Sequence, residues 1–167
     1  MTTMTGKHRA TVTLPSSTEI LITRVFDAPK HLVYKACTTP ELVKRWWSAK
    51  RGEVTICEID LRVGGAYRYV WRKESIGKEM GMGGVFREVV RPEKLVATEK
   101  FDDSWYAGEA LDTTLFEEKG AVTKVKLTVR YESKEARDTA TRSGMDAGMI
   151  AGYNRLEQVL ASYSVNA

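Results

Sequence analysis

Three aromatic residues at alternate positions are the first feature of the sequence that could bind a small molecule. Tyr67, Tyr69 and Trp71 alternate with Arg68 and Val70, and in a β-strand this spacing places the three rings on one face. Such a face can line a pocket for a flat or apolar ligand, with the phenol hydroxyl groups orienting it. The alternative is that the three rings are ordinary core packing.

Glu99 is the acidic residue with the best case for a chemical role. It shares a predicted strand face with Leu95, Ala97 and Phe101. If that face is interior, Glu99 is a buried carboxylate with a raised pKa and a candidate general base. The alternative is a structural ion pair, for which the sequence offers three arginines: Arg62, Arg68 and Arg87.

A long C-terminal helix is predicted from about Lys134 to Ser162, with Ser133 as its N-cap. Its apolar residues recur at spacings of three and four, which defines the face that meets the rest of the protein. Methionines on that face suit a cavity that adapts to its ligand, although they also suit an ordinary core. The residues of this face are Met145, Met149, Tyr153, Leu156 and Leu160.

Glycine recurs every four residues on this helix, at Gly144, Gly148 and Gly152. Each glycine inside a helix costs about 1 kcal/mol of stability relative to alanine. We therefore expect the column to serve either a close approach to the sheet or room for a ligand.

The rest of the chain predicts an α+β fold. Two short helices follow the strand Glu19 to Phe26; Asp27 is expected to cap the first, and Pro40 to open the second. Period-two segments then continue from Glu53 to Tyr131 without an intervening helix, so their strands must be antiparallel. The expected architecture is a curved antiparallel sheet of about six to seven strands around the long C-terminal helix.

Composition and length narrow the class of protein. The chain has 167 residues, which fits a single domain over 1–167, with 1–7 expected to be disordered. No apolar segment is long enough to span a bilayer, and the N-terminus lacks a signal-peptide core, so we expect a cytoplasmic protein that does not bind membranes. The two cysteines, Cys37 and Cys57, are expected to be buried thiols.

Metal, cofactor and nucleic-acid functions find little support. The 2 histidines, His8 and His31, are far apart in sequence, and no cluster has metal-ligand spacing, so neither a metal nor a cofactor is expected. The net charge of +4 is spread along the chain rather than concentrated in a stripe, so no nucleic-acid partner is expected. The densest basic group surrounds Trp46 and Trp47: Lys44, Arg45, Lys50 and Arg51.

Several motifs together resemble the activator of heat shock protein 90 ATPase homologue family, within the START-like (SRPBCC, birch pollen allergen-like) superfamily. The resemblance covers about residues 18–162. It is carried by Arg24-Val-Phe-Asp-Ala-Pro29, Thr38-Thr-Pro-Glu-Leu42, Trp46-Trp47, Asp60-Leu-Arg-Val-Gly-Gly-Ala-Tyr67, Gly84-Val-Phe-Arg-Glu-Val89, Ser133-Lys-Glu-Ala-Arg-Asp138, Gly144-Met-Asp-Ala-Gly-Met149 and Arg155-Leu156.

The resemblance implies a helix-grip fold with a cavity between the sheet and the C-terminal helix. Three functions stay open: binding of a small hydrophobic or aromatic ligand, which we favour; a cyclase or hydrolase using the same cavity; and a chaperone or protein-interaction module. A homodimer is also left open. The predicted ligand-binding residues are Trp46, Tyr67, Tyr69, Trp71, Phe86, Phe101, Met145, Met149 and Tyr153, with Glu99 as a weak catalytic candidate.

Overall fold

The computed structural model describes residues 9–47, 52–73, 75–104 and 106–166. Within them, eight strands and four helices follow one another along the chain. The strands are β1 (Thr11–Thr13), β2 (Glu19–Phe26), β3 (Glu53–Ile59), β4 (Ala66–Lys73), β5 (Lys78–Val90), β6 (Lys94–Phe101), β7 (Ala110–Lys119) and β8 (Val122–Arg130). The helices are α1 (Lys30–Thr38), α2 (Pro40–Trp47), α3 (Lys134–Arg142) and α4 (Met145–Asn166).

The strands form one antiparallel sheet in the order β1-β2-β8-β7-β6-β5-β4-β3. This confirms the predicted α+β class and the helix-grip arrangement. The sheet has one strand more than the upper end of the expected range, since the three-residue β1 pairs with the edge of β2. Inward positions alternate with outward ones, as on β2, where Ile20, Ile22, Arg24 and Phe26 are buried and the residues between them are partly exposed.

The two short helices cover one end of the sheet. As predicted, Pro40 is the first residue of α2, where its fixed φ suits a helix start. The predicted cap by Asp27 is wrong, because the N-cap position of α1 is Pro29 and no side chain caps it. The two helices are joined by a buried hydrogen bond, in which Trp46 Nε1 donates to the carbonyl of Ala36 at 3.0 Å.

The predicted C-terminal helix is divided into α3 and α4. Ser133 caps α3 as expected, since its hydroxyl accepts a hydrogen bond from the Ala136 amide at 3.0 Å. The break comes at Gly144, whose φ of +82° lies in the left-handed region. A glycine just beyond the last helical residues is a common helix stop because it has no Cβ to oppose this conformation. Gly144 therefore ends α3 instead of belonging to a glycine column.

Arg24 fixes α4 to the sheet. Its side chain is buried, with 1% exposure, and the other buried residues of β2 are the apolar Ile20, Ile22 and Phe26. Nη1 donates to Asn154 Oδ1 at 2.7 Å, and Nη2 donates to Glu157 Oε2 at 3.0 Å. Loss of water around the guanidinium lowers the pKa of Arg24, and Glu157 opposes that effect. The bidentate bridge holds α4 in register along β2.

Two sequence-based expectations concern membrane-spanning helices and the N-terminal segment. No described helix combines the length and the apolar character needed to cross a membrane. The segment 1–7, which was expected to be disordered, lies outside the described residues.

Glu157→Leu tests the bridge, because it leaves the buried Arg24 guanidinium without its carboxylate. Removing one partner of a buried ion pair typically costs about 3 kcal/mol of unfolding free energy. Glu117→Leu is the matched control, since its partner Lys126 is partly exposed and such surface pairs contribute under about 1 kcal/mol. Urea denaturation measures both variants, and equal losses would contradict the anchoring role of Arg24.

Candidate functional site

A cavity of about 140 Å³ lies between the concave face of the sheet and the helices α1, α2 and α4. An apolar cavity of roughly 150 Å³ can accept a benzene-sized molecule. Strands β3 to β8 provide its floor, while the end of α1, the last turn of α2 and the first half of α4 provide its roof.

Aromatic rings form a continuous wall on one side of the cavity. Trp47 bridges from the roof to the floor, because its ring centroid lies 5.2 Å from that of Tyr69. Tyr69 in turn lies 5.4 Å from Tyr67, and Tyr67 lies 5.5 Å from Phe86. The hydroxyl of Tyr67 donates to the Thr98 carbonyl at 2.7 Å. The proton of this phenol is therefore committed to the backbone, and the ring serves as a wall.

Helix α4 contributes methionines to the roof. Met145 and Met149 line the cavity, as does Met82 from β5 on the opposite side. Gly152 on the same helix faces Trp46 of α2, and a Cβ at this position would lie 3.4 Å from the indole ring, an ordinary van der Waals contact. The packing of α4 against α2 therefore does not require a glycine here, and the roles expected of the glycine column stay predictions.

Most predicted binding residues lie on the cavity lining. These are Trp46, Tyr67, Tyr69, Phe86, Met145, Met149, Tyr153 and the catalytic candidate Glu99. Trp71 and Phe101 do not line it, which corrects the expectation from strand alternation. They share the inward face but pack against each other, with ring centroids 6.2 Å apart, and Trp47 covers Trp71. Their rings close the core beside the cavity.

Glu99 is buried, with 8% exposure, and lines the cavity. Its Oε2 accepts a hydrogen bond of 3.0 Å from the hydroxyl of Tyr106, a buried residue in the loop after β6. Two of the arginines considered as its ion-pair partners bind elsewhere, since Arg62 pairs with Asp60 and Arg68 pairs with Asp102.

A second carboxyl group, Asp112, lies beside Glu99, and sequence reasoning missed it. Asp112 is directly opposite Ala97 in the β6–β7 register, so Glu99 is its diagonal neighbour. Burial raises the pKa of Asp112 well above its ordinary value, and the charge of Glu99 and a hydrogen bond between the two carboxyl groups raise it further. Two carboxyl groups can share a hydrogen bond only when one of them carries a proton. The cavity therefore contains a proton-sharing acid pair.

The sequence gives only a weak signal for Asp112. It occupies the same phase of β7 as Ala110 and Phe116. The other phase carries Leu111 and Leu115, so strand alternation alone does not give Asp112 an interior position. Its pairing with Glu99 still depends on the register of β7 against β6, which periodicity does not fix.

The remaining polar groups around the cavity are neutral at physiological pH. Burial raises the pKa of Tyr67, Tyr69 and Tyr153. Cys37, which lines the cavity, has its pKa raised to about 12 by burial. A thiol with so high a pKa is a poor nucleophile.

The tryptophans of α2 are buried, with exposures of 6% for Trp46 and 7% for Trp47. Exposed tryptophan rings would favour a protein-interaction surface here, and the burial of both rings does not. Lys50 and Arg51 of the basic group lie outside the described residues.

Comparison with known proteins identifies the family. The family model described as Activator of Hsp90 ATPase homolog 1-like protein matches residues 27–161. The chain belongs to this family. A search of curated proteins found no match.

Solved structures of similar proteins share the fold. A Rhodobacter sphaeroides protein is 28% identical with a TM-score of 0.86, over 92% of this chain and 99% of that chain. A Mycobacterium smegmatis protein is 21% identical with a TM-score of 0.82, over 92% and 99%. A Nitrosomonas europaea protein is 21% identical with a TM-score of 0.80, over 91% and 99%. The helix-grip fold is thus common to proteins from several bacteria.

Asp112→Asn tests the acid pair through the pH dependence of stability. Unfolded Asp112 loses its proton near pH 3.9, whereas the native group holds it to higher pH. The stability due to this proton is therefore full below about pH 4 and is lost as the pH rises through the native pKa. The unfolding free energy of the wild type, relative to Asp112→Asn, should fall as the pH rises above about 4.

Asp102→Asn is the control for this experiment. A hydrogen bond from Arg68 lowers the pKa of Asp102, so the corresponding difference should rise with pH through the acidic range. Chemical denaturation at a series of pH values measures both differences. A wild-type advantage over Asp112→Asn that rises with pH would refute the shared proton.

Proposed function

We propose that this protein binds a small, mainly apolar ligand carrying an aromatic ring in the cavity between sheet and helices. The observation that carries the proposal is the aromatic wall around the cavity between sheet and helices. Protein interiors rarely leave a space of this size unfilled. Ring walls bury the faces or edges of an aromatic ligand and gain stacking contacts from it.

The family and the fold support a ligand-binding role without identifying the ligand. The roof adds methionine side chains from α4, which adjust to the outline of a ligand because each has three rotatable bonds. The acid pair supplies a polar end to the cavity, so one end of the ligand can meet a hydrogen-bonding group. Such a mixture of apolar walls and few polar groups is typical of small-molecule sites.

Ala97→Phe tests the proposal by filling the space. Ala97 lines the cavity floor, so a phenyl group at this position should occupy the volume that a ligand would take. We expect toluene, which is recognised through its ring alone, to give saturation-transfer NMR signals with the wild type and none with the variant.

Ala121→Phe is the matched control, because Ala121 is exposed in the turn between β7 and β8. It should retain the wild-type signals. The proposal fails if folded Ala97→Phe binds toluene as well as the wild type does, or if the wild type does not bind it.

A second candidate function, acid–base catalysis, is favoured by the contact between Glu99 and Asp112. An ionised carboxylate and a protonated carboxylic acid at one wall can remove a proton from a substrate and polarise its carbonyl oxygen. The hydrogen bond from Tyr106 fixes the orientation of the Glu99 carboxylate. Such a pair fits enolisation, a proton transfer that also occurs in cyclisations.

Acetophenone in D₂O tests this second candidate. Glu99 would take a proton from the methyl group while the acid of Asp112 donates to the carbonyl oxygen, and the enol would then regain a deuteron at carbon. The expected result is loss of the methyl proton signal faster than in buffer, with Glu99→Gln reduced to the buffer rate. A wild-type rate equal to that of buffer would exclude catalysis of this step.

A further inference from the structure

The charges around the cavity are of one sign. Among the described residues that line it, Glu99 and Asp112 are the two acids, and none is lysine, arginine or histidine. The chain as a whole carries a net charge of +4, so the charge in the cavity is opposite in sign to the net charge of the chain. An apolar cavity with an acid pair and no lining cation disfavours anionic ligands, because like charges repel strongly where water is scarce.

The acid pair carries one negative charge when it holds a single proton. That proton accounts for the hydrogen bond between the two carboxyl groups. Oδ1 of Asp112 is shut off from water and receives no hydrogen bond from a donor among the described residues. A buried charge and a buried acceptor without a donor are both costly. A ligand that brings a positive charge and N–H donors would relieve both costs.

The aromatic wall suits the same kind of ligand. Trp47 and Tyr69 pack together with centroids 5.2 Å apart, and Tyr67 extends this wall across the floor. Aromatic faces attract cations through their quadrupoles, and the attraction grows when the cation loses water. The cavity thus combines an anionic end with aromatic walls that can pack against the methylene groups next to an ammonium ion.

We infer that the ligand is a small organic amine, bound with its protonated nitrogen at the Glu99–Asp112 pair and its ring or alkyl part against the aromatic wall. This inference rests on the proposed function and adds the chemical class of the ligand. It predicts a cationic ligand rather than a fatty acid or another carboxylate of equal size. It also gives the acid pair a binding role that does not require catalysis.

A series of three matched molecules tests the inference: toluene, benzylamine and benzoate. They share the ring and differ in the group attached to it, which is neutral, cationic or anionic at neutral pH. We expect benzylamine to bind about tenfold more tightly than toluene, as is usual for one charge-assisted hydrogen bond. Benzoate should bind more weakly than both. Competition against toluene by NMR gives the order.

Two variants assign the preference to the acid pair. Asp112→Asn and Glu99→Gln each remove one carboxyl group while keeping the side-chain shape, so either one serves if the other fails to fold. Each should reduce the affinity for benzylamine, relative to the affinity for toluene of the same variant, about tenfold. Asp102→Asn is the control, because that carboxylate pairs with Arg68 on the surface and does not line the cavity. It should bind all three molecules as the wild type does.

The pH dependence of wild-type binding gives an independent measurement. A second proton neutralises the acid pair, so acidification should weaken benzylamine binding and leave toluene binding unchanged. The other described titratable groups whose charge acts on Asp112 or responds to it are tyrosines. They are Tyr67 and Tyr69 on β4, Tyr106 after β6, Tyr131 after β8 and Tyr153 on α4. Their pKa values are raised, so they stay neutral throughout this range.

The outcomes separate the inference from the proposed function. If toluene binds but benzylamine binds no more tightly, or benzoate binds best, the amine inference is overturned and the apolar binding site stands. If none of the three binds, both fail. An amine preference that persists in Asp112→Asn and Glu99→Gln would also overturn the inference, because its cause would lie outside the acid pair.

Discussion

The structure depends on how the curved sheet is covered. A sheet with one apolar face must be shielded from water, and here α4 is anchored along one side, on β2, by the buried Arg24 bridge. At the other side α4 rests on α2, where Gly152 lies beside the ring of Trp46. Because these contacts hold the helix at its sides, the middle of the concave face is bridged rather than filled. The cavity is a consequence of that bridging.

Polar groups are unusual in such a space, and the acid pair places two carboxyl groups there. Tyr106 supplies a hydrogen bond to Glu99, and the shared proton lets Asp112 remain beside it. Burial would otherwise oppose both carboxylates. This arrangement stabilises one negative charge at the polar end of an apolar site.

Alternation along strands made much of the site predictable from the sequence. Tyr67 and Tyr69 face the cavity because their strand has period two, and Glu99 is interior for the same reason. Alternation does not indicate at which positions of a strand the covering helices pack directly against the sheet. Trp71 shares the face of Tyr67 but packs under Trp47, so the prediction extended the site too far.

Two further features required the tertiary structure. Gly144 was assigned to a helix because it continued a periodic pattern, whereas its positive φ ends α3. A glycine is compatible with either role, and the packing of α3 and α4 decides between them. Asp112 meets Glu99 through the register of β7 against β6, which joins residues 13 positions apart in sequence. The sequence predicted the walls of the cavity better than its polar end.

Methionine methyl groups offer the most direct test of the central claim that the cavity receives a small aromatic molecule. Met82, Met145 and Met149 line the cavity, whereas Met80 is partly buried and lies outside its lining. In protein labelled with ¹³C at the methionine methyl groups, benzene should shift the signals of the three lining residues through ring currents. The signal of Met80 should stay in place. Three unmoved lining signals at saturating benzene would contradict the account.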